Sequence, residues 1–355
     1  MNRSIAALLL APVAALAAVA PTNAETPRWG AAVLRQPAAW YASPEALALA
    51  RSVAAHQSPE GGWPKNFDLS RPPPPLAPEG SRNTFDNEGT TLPLELLARV
   101  TTAQADAALR ASFLRGLDYT LVAQQPSGGW PQFYPLRGGY YDHITFNDDA
   151  MIRVMTLLQA VAAGAPPYAF VDAPRRARAA EAVRRGVDVI LRTQVRRDGV
   201  LTGWSAQHDQ RSLQPAWARR FEPPSLSGAE SVGIVRFLMS LPNPSPEVVA
   251  AVEGAAAWLE RSAIRDTALE SFTDAQGRPD RRLVAAPGRR LWARFYDLQT
   301  GAPVYMGRDS VPHARLDQIE HERRNGYNYV GTWAETLLTR ELPAWRARIG
   351  RAERS

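Results

Sequence analysis

The sequence predicts a mainly α protein, an α/α toroid in which helical hairpins build a barrel, with long loops and a few short strands. Three observations predict it. Apolar residues recur at helical spacing in segment after segment, a Gly-Trp loop returns along the chain, and strand-like alternation is sparse. Repeated helical pairs that close on themselves gather their polar turns on one face. An open α-solenoid is the alternative, and the long, irregular loops argue against so thin a stack.

The N-terminal segment sets the compartment. Arg3 precedes an apolar run from Ile5 to Ala20, and Thr22-Asn23-Ala24 supplies small residues for cleavage. This is the layout of a secretory signal peptide over residues 1–24, cut after Ala24, with a single domain over 25–355. A membrane anchor is the competing reading, but the run is short and carries Pro12. No later stretch is apolar enough to span a bilayer, so the expectation is a periplasmic or secreted protein, without stable membrane insertion and monomeric.

Ser43-Pro44-Glu45 opens the first helix with an N-cap and a proline in the first turn, running to about Gln57. Helical spacing then recurs over Leu92–Val100, Ala105–Ala123, Ala150–Ala162, Arg175–Arg192, Ser227–Met239 and Glu247–Ser262. Thr332 and Glu335 form a capping-box pattern ahead of a final helix reaching about Arg348. Leu283–Tyr296 and Val304-Tyr305 are the candidates for extended pieces. The proline run that begins at Arg71 is a stiff spacer within a loop.

The repeat carries most of the information. Gln57-Ser-Pro-Glu-Gly-Gly-Trp63-Pro-Lys65-Asn66 returns as Gln125-Pro-Ser-Gly-Gly-Trp130-Pro, and a looser copy runs from Gln194 through Gly203-Trp204. The tryptophans lie roughly 67 and 74 residues apart, a period that suits a helical hairpin with its loops. Each Gly-Trp loop is followed by a polar turn: Thr84-Phe85-Asp86-Asn87-Glu88, Thr145-Phe146-Asn147-Asp148-Asp149, and Ser225-Leu226-Ser227-Gly228-Ala229-Glu230.

Two readings stand for each feature. The tryptophans either offer planes for stacking on pyranose rings or plug the space between hairpins. Asp86, Glu88, Asp148 and Asp149 either cap helices or converge as carboxylates that need a cation between them. Oxygen-rich Asp and Asn ligands from distant turns suit Ca²⁺. Lys65 is the single lysine beside forty arginines, so its place in a Gly-Trp loop is either a local requirement or chance. Glu320–Arg324, at helical spacing, reads as a solvated face with ion pairs.

Composition narrows the partner. With 45% hydrophobic and 21% charged residues and ten each of Trp, Tyr and Phe, disorder is excluded as the dominant state. The absence of cysteine excludes disulfides, zinc-thiolate sites and cysteine nucleophiles. A net charge of +6 favours a polyanionic partner. Outside the cytoplasm nucleic acid recedes, and an acidic polysaccharide comes forward. Acids for a metal, arginines for carboxylates and aromatic planes for sugar rings together describe a cleft for such a polymer.

The motifs resemble the pectate lyases of polysaccharide lyase family 10. The resemblance rests on Gly61-Gly-Trp-Pro-Lys-Asn, Thr84-Phe-Asp-Asn-Glu-Gly-Thr-Thr, Gly128-Gly-Trp-Pro-Gln-Phe-Tyr-Pro and Ile144-Thr-Phe-Asn-Asp. It extends to Ala218-Arg-Arg-Phe-Glu-Pro-Pro-Ser-Leu-Ser-Gly-Ala-Glu-Ser, Trp292-Ala-Arg-Phe-Tyr-Asp and Gly307-Arg-Asp, and so covers nearly the whole mature chain. It implies an incomplete α/α toroid and Ca²⁺-dependent cleavage of polygalacturonate by β-elimination. It also implies that Arg219 is the Brønsted base, that Asp86 and Asp148 lie at the calcium end of the cleft, and that Asn87, Arg294, Arg308 and Lys65 hold substrate. Asp149 departs from the pattern, standing where a smaller or neutral residue is expected, and is either a further calcium ligand or an added charge. Arg220 beside Arg219 leaves open which guanidinium faces the sugar. A hydrolase on the same scaffold and a non-catalytic sugar-binding protein are the alternatives.

Overall fold

The computed structural model describes residues 27–74 and 83–350; the leader expected at 1–24 and the proline spacer beyond Pro74 lie outside the described residues. The helices are α1 (Pro44–Ala55), α2 (Thr91–Gln104), α3 (Ala107–Val122), α4 (Ala150–Ala163), α5 (Ala173–Thr193), α6 (Glu230–Ser240), α7 (Pro246–Ser262), α8 (His321–Gly326) and α9 (Leu342–Arg348). The strands are β1 (Ile144–Thr145), β2 (Arg196–Arg197), β3 (Val200–Leu201), β4 (Gln207–His208), β5 (Ile264–Thr273), β6 (Pro279–Ala293), β7 (Tyr305–Met306), β8 (Pro312–His313) and β9 (Val330–Gly331).

Two rows of helices face each other. In one row α2 packs on α4 and α4 on α6; in the other α1 packs on α3, α3 on α5 and α5 on α7. The pairs α2/α3, α4/α5 and α6/α7 join the rows. The composition of the helices explains which row is which. Helix α4 (AMIRVMTLLQAVAA) is apolar over most of its circumference and buries eight residues, so it belongs inside. Helix α5 (APRRARAAEAVRRGVDVILRT) keeps a narrow apolar stripe and turns its arginines outward. One continuous hydrophobic cluster runs from Val33 to Trp345, and a smaller one gathers Leu291, Phe295, Tyr305, Leu316, Ile319, Tyr329 and Val330 beside it.

The helix starts divide along the same line. Ser43, Asp106, Asp172 and Ser245 cap the outer helices α1, α3, α5 and α7, each accepting a hydrogen bond from a first-turn backbone N–H. The residues at the cap positions of inner helices α2, α4 and α6 make no such bond. Helix α6 begins three residues later than its apolar spacing indicates, because Ser227 Oγ takes the N–H groups of Ala229 and Glu230 and the preceding segment is used for the turn. The long connections, from outer to inner helices, all reach the N-terminal ends of the inner row.

Two local expectations change. The Thr332/Glu335 capping box does not form, since the Glu335 carboxylate is bound by Arg290 at 2.9 and 3.1 Å. The final helical region contains a π-helical turn, Leu337–Glu341, and Pro343 explains the irregularity because it has no N–H to give to the ladder. The extended segment expected from Leu283 starts earlier, at Pro279, and belongs to a hairpin with β5, whose charged sequence Ile-Arg-Asp-Thr-Ala-Leu-Glu-Ser-Phe-Thr hides its alternation. Strand β9 joins the base of this hairpin at Trp292 and Ala293, and the remaining strands are two-residue pairs.

Candidate active site

The tryptophan question is decided by burial. Trp63, Trp130 and Trp204 are each 0% exposed, so none offers a face to a sugar. Their indole N–H groups donate to the carbonyls of Val53, Thr120 and Ile190, at 2.8, 2.9 and 2.8 Å, near the C-terminal ends of α1, α3 and α5. Each thus satisfies a carbonyl of the preceding outer helix while filling the core. Gln57, Gln124 and Gln194 complete the repeat. Each amide donates to a carbonyl of its own loop and to one on the next outer helix, at Ser112, Ala182 and Ala251. The Gly-Trp loops are the clamps between hairpins.

The polar turns take over where the clamps end. Residues 86–88 and 147–149 form matching short turns that touch each other. In each, two successive residues adopt left-handed backbone: Asn87 (φ 47°) and Glu88 (φ 61°), then Asp148 (φ 51°) and Asp149 (φ 60°). Asn and Asp tolerate this region better than most residues. The acids of these turns do not cap their helices, which removes the capping explanation.

Their charges are met by cations instead. Asp86 is buried, ion-paired with Lys65, and accepts a 2.8 Å hydrogen bond from Gln132. Its other oxygen, Oδ1, is buried without a hydrogen-bond partner. Asn87 is exposed and bonds Asn66 at 3.1 Å. Glu88 pairs with Arg153. Asp148 takes Arg294 at 2.9 Å and Asn147 at 2.8 Å. The same Arg294 nitrogen reaches buried Glu230, whose second oxygen is bonded by Ser227. The guanidinium of Arg294 is buried, yet the carboxylates of Glu230 and Asp148 hold its proton affinity above the ordinary arginine range.

Asp149 faces a cavity of about 360 Å³ lined by Asp148, Arg153, Arg236, Arg294, Asn328 and Trp333, among others. Burial, reinforced by Glu230 and Asp148, pushes its carboxyl up to about 6. Gly233 makes room for it: a Cβ there would lie 2.1 Å from Asp149 Oδ1.

Asp86, Asp148 and Asp149 do not form one compact ligand cluster. Among the described residues the trio whose ligand atoms lie within 4.8 Å of one another is Asp274, Asp280 and His321, at the hairpin β5/β6. That trio is already engaged, Asp280 by Arg324 and Asn325 and Asp274 by Arg278 and backbone N–H groups. At the turns, Lys65 and Arg294 supply the positive charge that carboxylate repulsion was expected to demand from an ion. The donor chemistry there still suits a hard cation: carboxylate and amide oxygens on adjoining turns, one of them the unpartnered Asp86 Oδ1.

Arg219 belongs to a second group, joined to this cluster through Tyr327. Its Nε donates to Glu222 Oε2 at 2.8 Å and its Nη2 to Oε1, a bidentate pair in which the guanidinium stays half-exposed. Tyr327 donates its hydroxyl to the same Oε1 at 2.9 Å. The pair raises the proton affinity of Arg219, and Arg219 holds the Glu222 carboxyl below its usual value despite burial. One aromatic ring links the two halves of the site, since the Arg294 guanidinium lies 4.9 Å from the centre of the Tyr327 ring and Arg219 5.9 Å from it. Phe221 gathers Arg219, Arg308 and Arg323 at 5.0, 5.3 and 3.9 Å. Arg308 is exposed and paired with Glu322 at 3.0 Å. Arg220 is exposed and bonds only Ser310 Oγ, at 3.3 Å, among the interactions described.

The expectation of a solvated face over Glu320–Arg324 needs one correction. Its ion pairs are present, but Arg323 is buried against Phe221 and Tyr327, with Nε and Nη2 unpartnered. Glu222 and Glu230 stand in motifs quoted above without having been given a role, and their place directly after Arg219-Arg220 and at the third polar turn was the available signal. Tyr327 carried none, because its partners come from segments far away in sequence.

The family profile described as pectic acid lyase matches residues 57–338. A family 10 polysaccharide lyase from Cellvibrio cellulosa is similar in structure, with 33% sequence identity and a TM-score of 0.75 over 88% of this chain and 96% of that one. A mutant of a family 10 polysaccharide lyase from the same organism, in complex with trigalacturonic acid, matches with 33% identity and a TM-score of 0.75 over 88% of this chain and 97% of that one. No curated protein matches the chain.

Proposed function

The chain belongs to the pectic acid lyase family and is a polysaccharide lyase, and from that premise we propose that it cleaves polygalacturonate by Ca²⁺-dependent β-elimination, releasing unsaturated oligogalacturonides. The observation that supports this most is a half-exposed guanidinium, Arg219, connected through Tyr327 to a cluster of carboxylates and cations on two adjoining turns. A uronate needs both kinds of partner. The proposal includes a scaffold in which the two helical rows curve as an incomplete toroid within a single domain, secreted or periplasmic after cleavage near Ala24.

In a galacturonate residue the C5 hydrogen is α to the C6 carboxylate, and the C4 oxygen carries the glycosidic link. Arg219 takes the C5 proton, the C5–H electron pair becomes the C4=C5 double bond, and the C4–O bond breaks with its electrons leaving on oxygen. Negative charge grows on the carboxylate as the proton leaves, so cations near it stabilise the transition state more than the ground state. Arg308 and Arg294 would hold such a carboxylate, and Arg294 also orders Asp148 and Glu230. Asp86 and Asp148, with Asp149 beside them, are the residues that would hold Ca²⁺, which supplies Lewis-acid polarisation of the uronate carboxylate when bound, and Asn87 would hold substrate. Lys65, besides holding Asp86, stands beside Asn66 and Asn87 where substrate hydroxyls or carboxylates would pass.

The bidentate bond to Glu222 favours charged Arg219, so the form able to accept a proton is reached as pH rises. Partial burial of the guanidinium acts in the opposite sense. The reading is tested by mixing the protein with polygalacturonate, with and without chelator, and following the ultraviolet absorbance of the conjugated product. Absorbance that rises only with calcium is the expected result; saturated ends and no absorbance would identify a hydrolase.

A further inference from the structure

Trp217 is the only one of the ten tryptophans that is exposed, at 48%, and it stands two residues ahead of Arg219. Burying so large an apolar side chain would stabilise the fold, and an exposed position forgoes that gain. Its backbone is nonetheless fixed on both sides. Ala216 donates to the Gln207 carbonyl at 3.0 Å, and Ala218 donates to the Glu222 carbonyl at 3.1 Å. His143 from the neighbouring loop bonds the Trp217 backbone. An indole held on a rigid backbone and left in solvent is a surface without a partner among the described residues.

Its surroundings indicate the partner. Consecutive Cα atoms are about 3.8 Å apart, so Trp217 lies within about 8 Å of Arg219 along the backbone. Arg220, next to Arg219, keeps its guanidinium exposed with a single 3.3 Å bond to Ser310 Oγ. The buried tryptophans of the Gly-Trp loops are withdrawn from any ligand, so an aromatic face beside the reacting group can come only from elsewhere.

We propose that Trp217 and Arg220 form a binding subsite for a second uronate of the substrate chain, the indole stacking on the C–H face of the pyranose and the guanidinium taking its carboxylate. This rests on the reading of the protein as acting on polygalacturonate. It also assigns different tasks to the adjacent arginines: Arg219, locked on Glu222, serves the reacting residue, and Arg220 serves its neighbour.

The test compares wild type, Trp217→Ala, Trp217→Phe and Arg220→Gln. With polygalacturonate, Trp217→Ala is expected to raise KM about tenfold while kcat falls less than twofold, Trp217→Phe to recover most of the affinity, and Arg220→Gln to raise KM five- to tenfold. In chelator, where turnover is absent, trigalacturonate and longer oligogalacturonates are titrated while tryptophan emission is read. Wild type is expected to change emission on binding, and Trp217→Phe to lose that change. Unaltered KM in Trp217→Ala, or an emission change that persists in Trp217→Phe, overturns the subsite. Failure of the lyase reading shows differently: wild type would then form no absorbing product, while the Trp217-dependent emission change would still report binding.

Discussion

Tyr327 and Arg219 share one acceptor, the Oε1 atom of Glu222. The tyrosine reaches it from the segment after α8 and the arginine from three residues before it, so the tyrosine fixes the carboxylate that fixes the guanidinium. Tyr327→Phe removes one donor and keeps the ring between Arg219 and Arg294. A lost hydrogen bond to a charged group is worth about 1.5 kcal/mol, and the expected effect is a kcat about tenfold lower with KM little changed, measured by initial rates on polygalacturonate.

Arg219→Ala removes the proposed base. General base catalysis contributes about 10²–10⁴-fold, so kcat is expected to fall by at least a hundredfold while substrate affinity stays within a few fold. Binding of oligogalacturonate to the inactive variant separates the two. Turnover close to wild type would reassign the base.

The pH dependence follows from the same pair. Glu222 raises the proton affinity of Arg219, and a base with a raised pKa becomes competent only toward alkaline pH, so the rate is expected to climb as pH rises through the range where the fold survives. For stability the sign is reversed. The depressed carboxyl of Glu222 contributes stability that is present above its unfolded value and lost as pH falls through its folded value. Glu222→Gln therefore flattens the acid limb of a plot of urea midpoint against pH. An activity maximum near pH 5 would contradict the first expectation.

Gly233→Ala tests the seat of Asp149. The new methyl would meet the Asp149 carboxylate at 2.1 Å and displace it from beside Glu230 and Asp148. The expected result is a calcium requirement shifted several-fold upward in assays at graded calcium.

Trp130→Phe tests the clamp. It deletes the bond to the Thr120 carbonyl and leaves space in a site with 0% exposure, for a loss of about 2–4 kcal/mol. A urea midpoint within error of wild type would show that the clamp is dispensable.

Much of this was readable in the chain. Helical periodicity located α1 to α7 because each carries a continuous apolar stripe, and the Gly-Trp spacing marked the hairpin period. The task of the tryptophans was not readable, since an indole followed by proline looks the same whether it faces a sugar or the carbonyl of Val53. The acids at the two turns were visible, but their neutralisation by Lys65 and Arg294 was not, because those partners lie 21 and 146 residues away. Arg323 misled for a related reason. Helical spacing placed it on a charged face, and only the packing of Phe221 and Tyr327 turns that face inward. The final helix was expected to run unbroken to about Arg348, and the π-helical turn before Pro343 was not read from the spacing.

The division between capped outer helices and uncapped inner ones has an evolutionary consequence. Anchorage sits at the outer termini and the Gly-Trp clamps and reactivity at the inner termini, so the outer-to-inner connections can lengthen or change between their clamp residues without loosening the scaffold. The third unit has done so: it inserts the β2/β3 hairpin between Gln194 and Trp204 while Val195 keeps its backbone bond to Gly203, the counterpart of Ser58 to Gly62 and Gln125 to Gly129. Sequence drift in these connections can retune which polymers are recognised while thermal resistance stays where the hairpins set it.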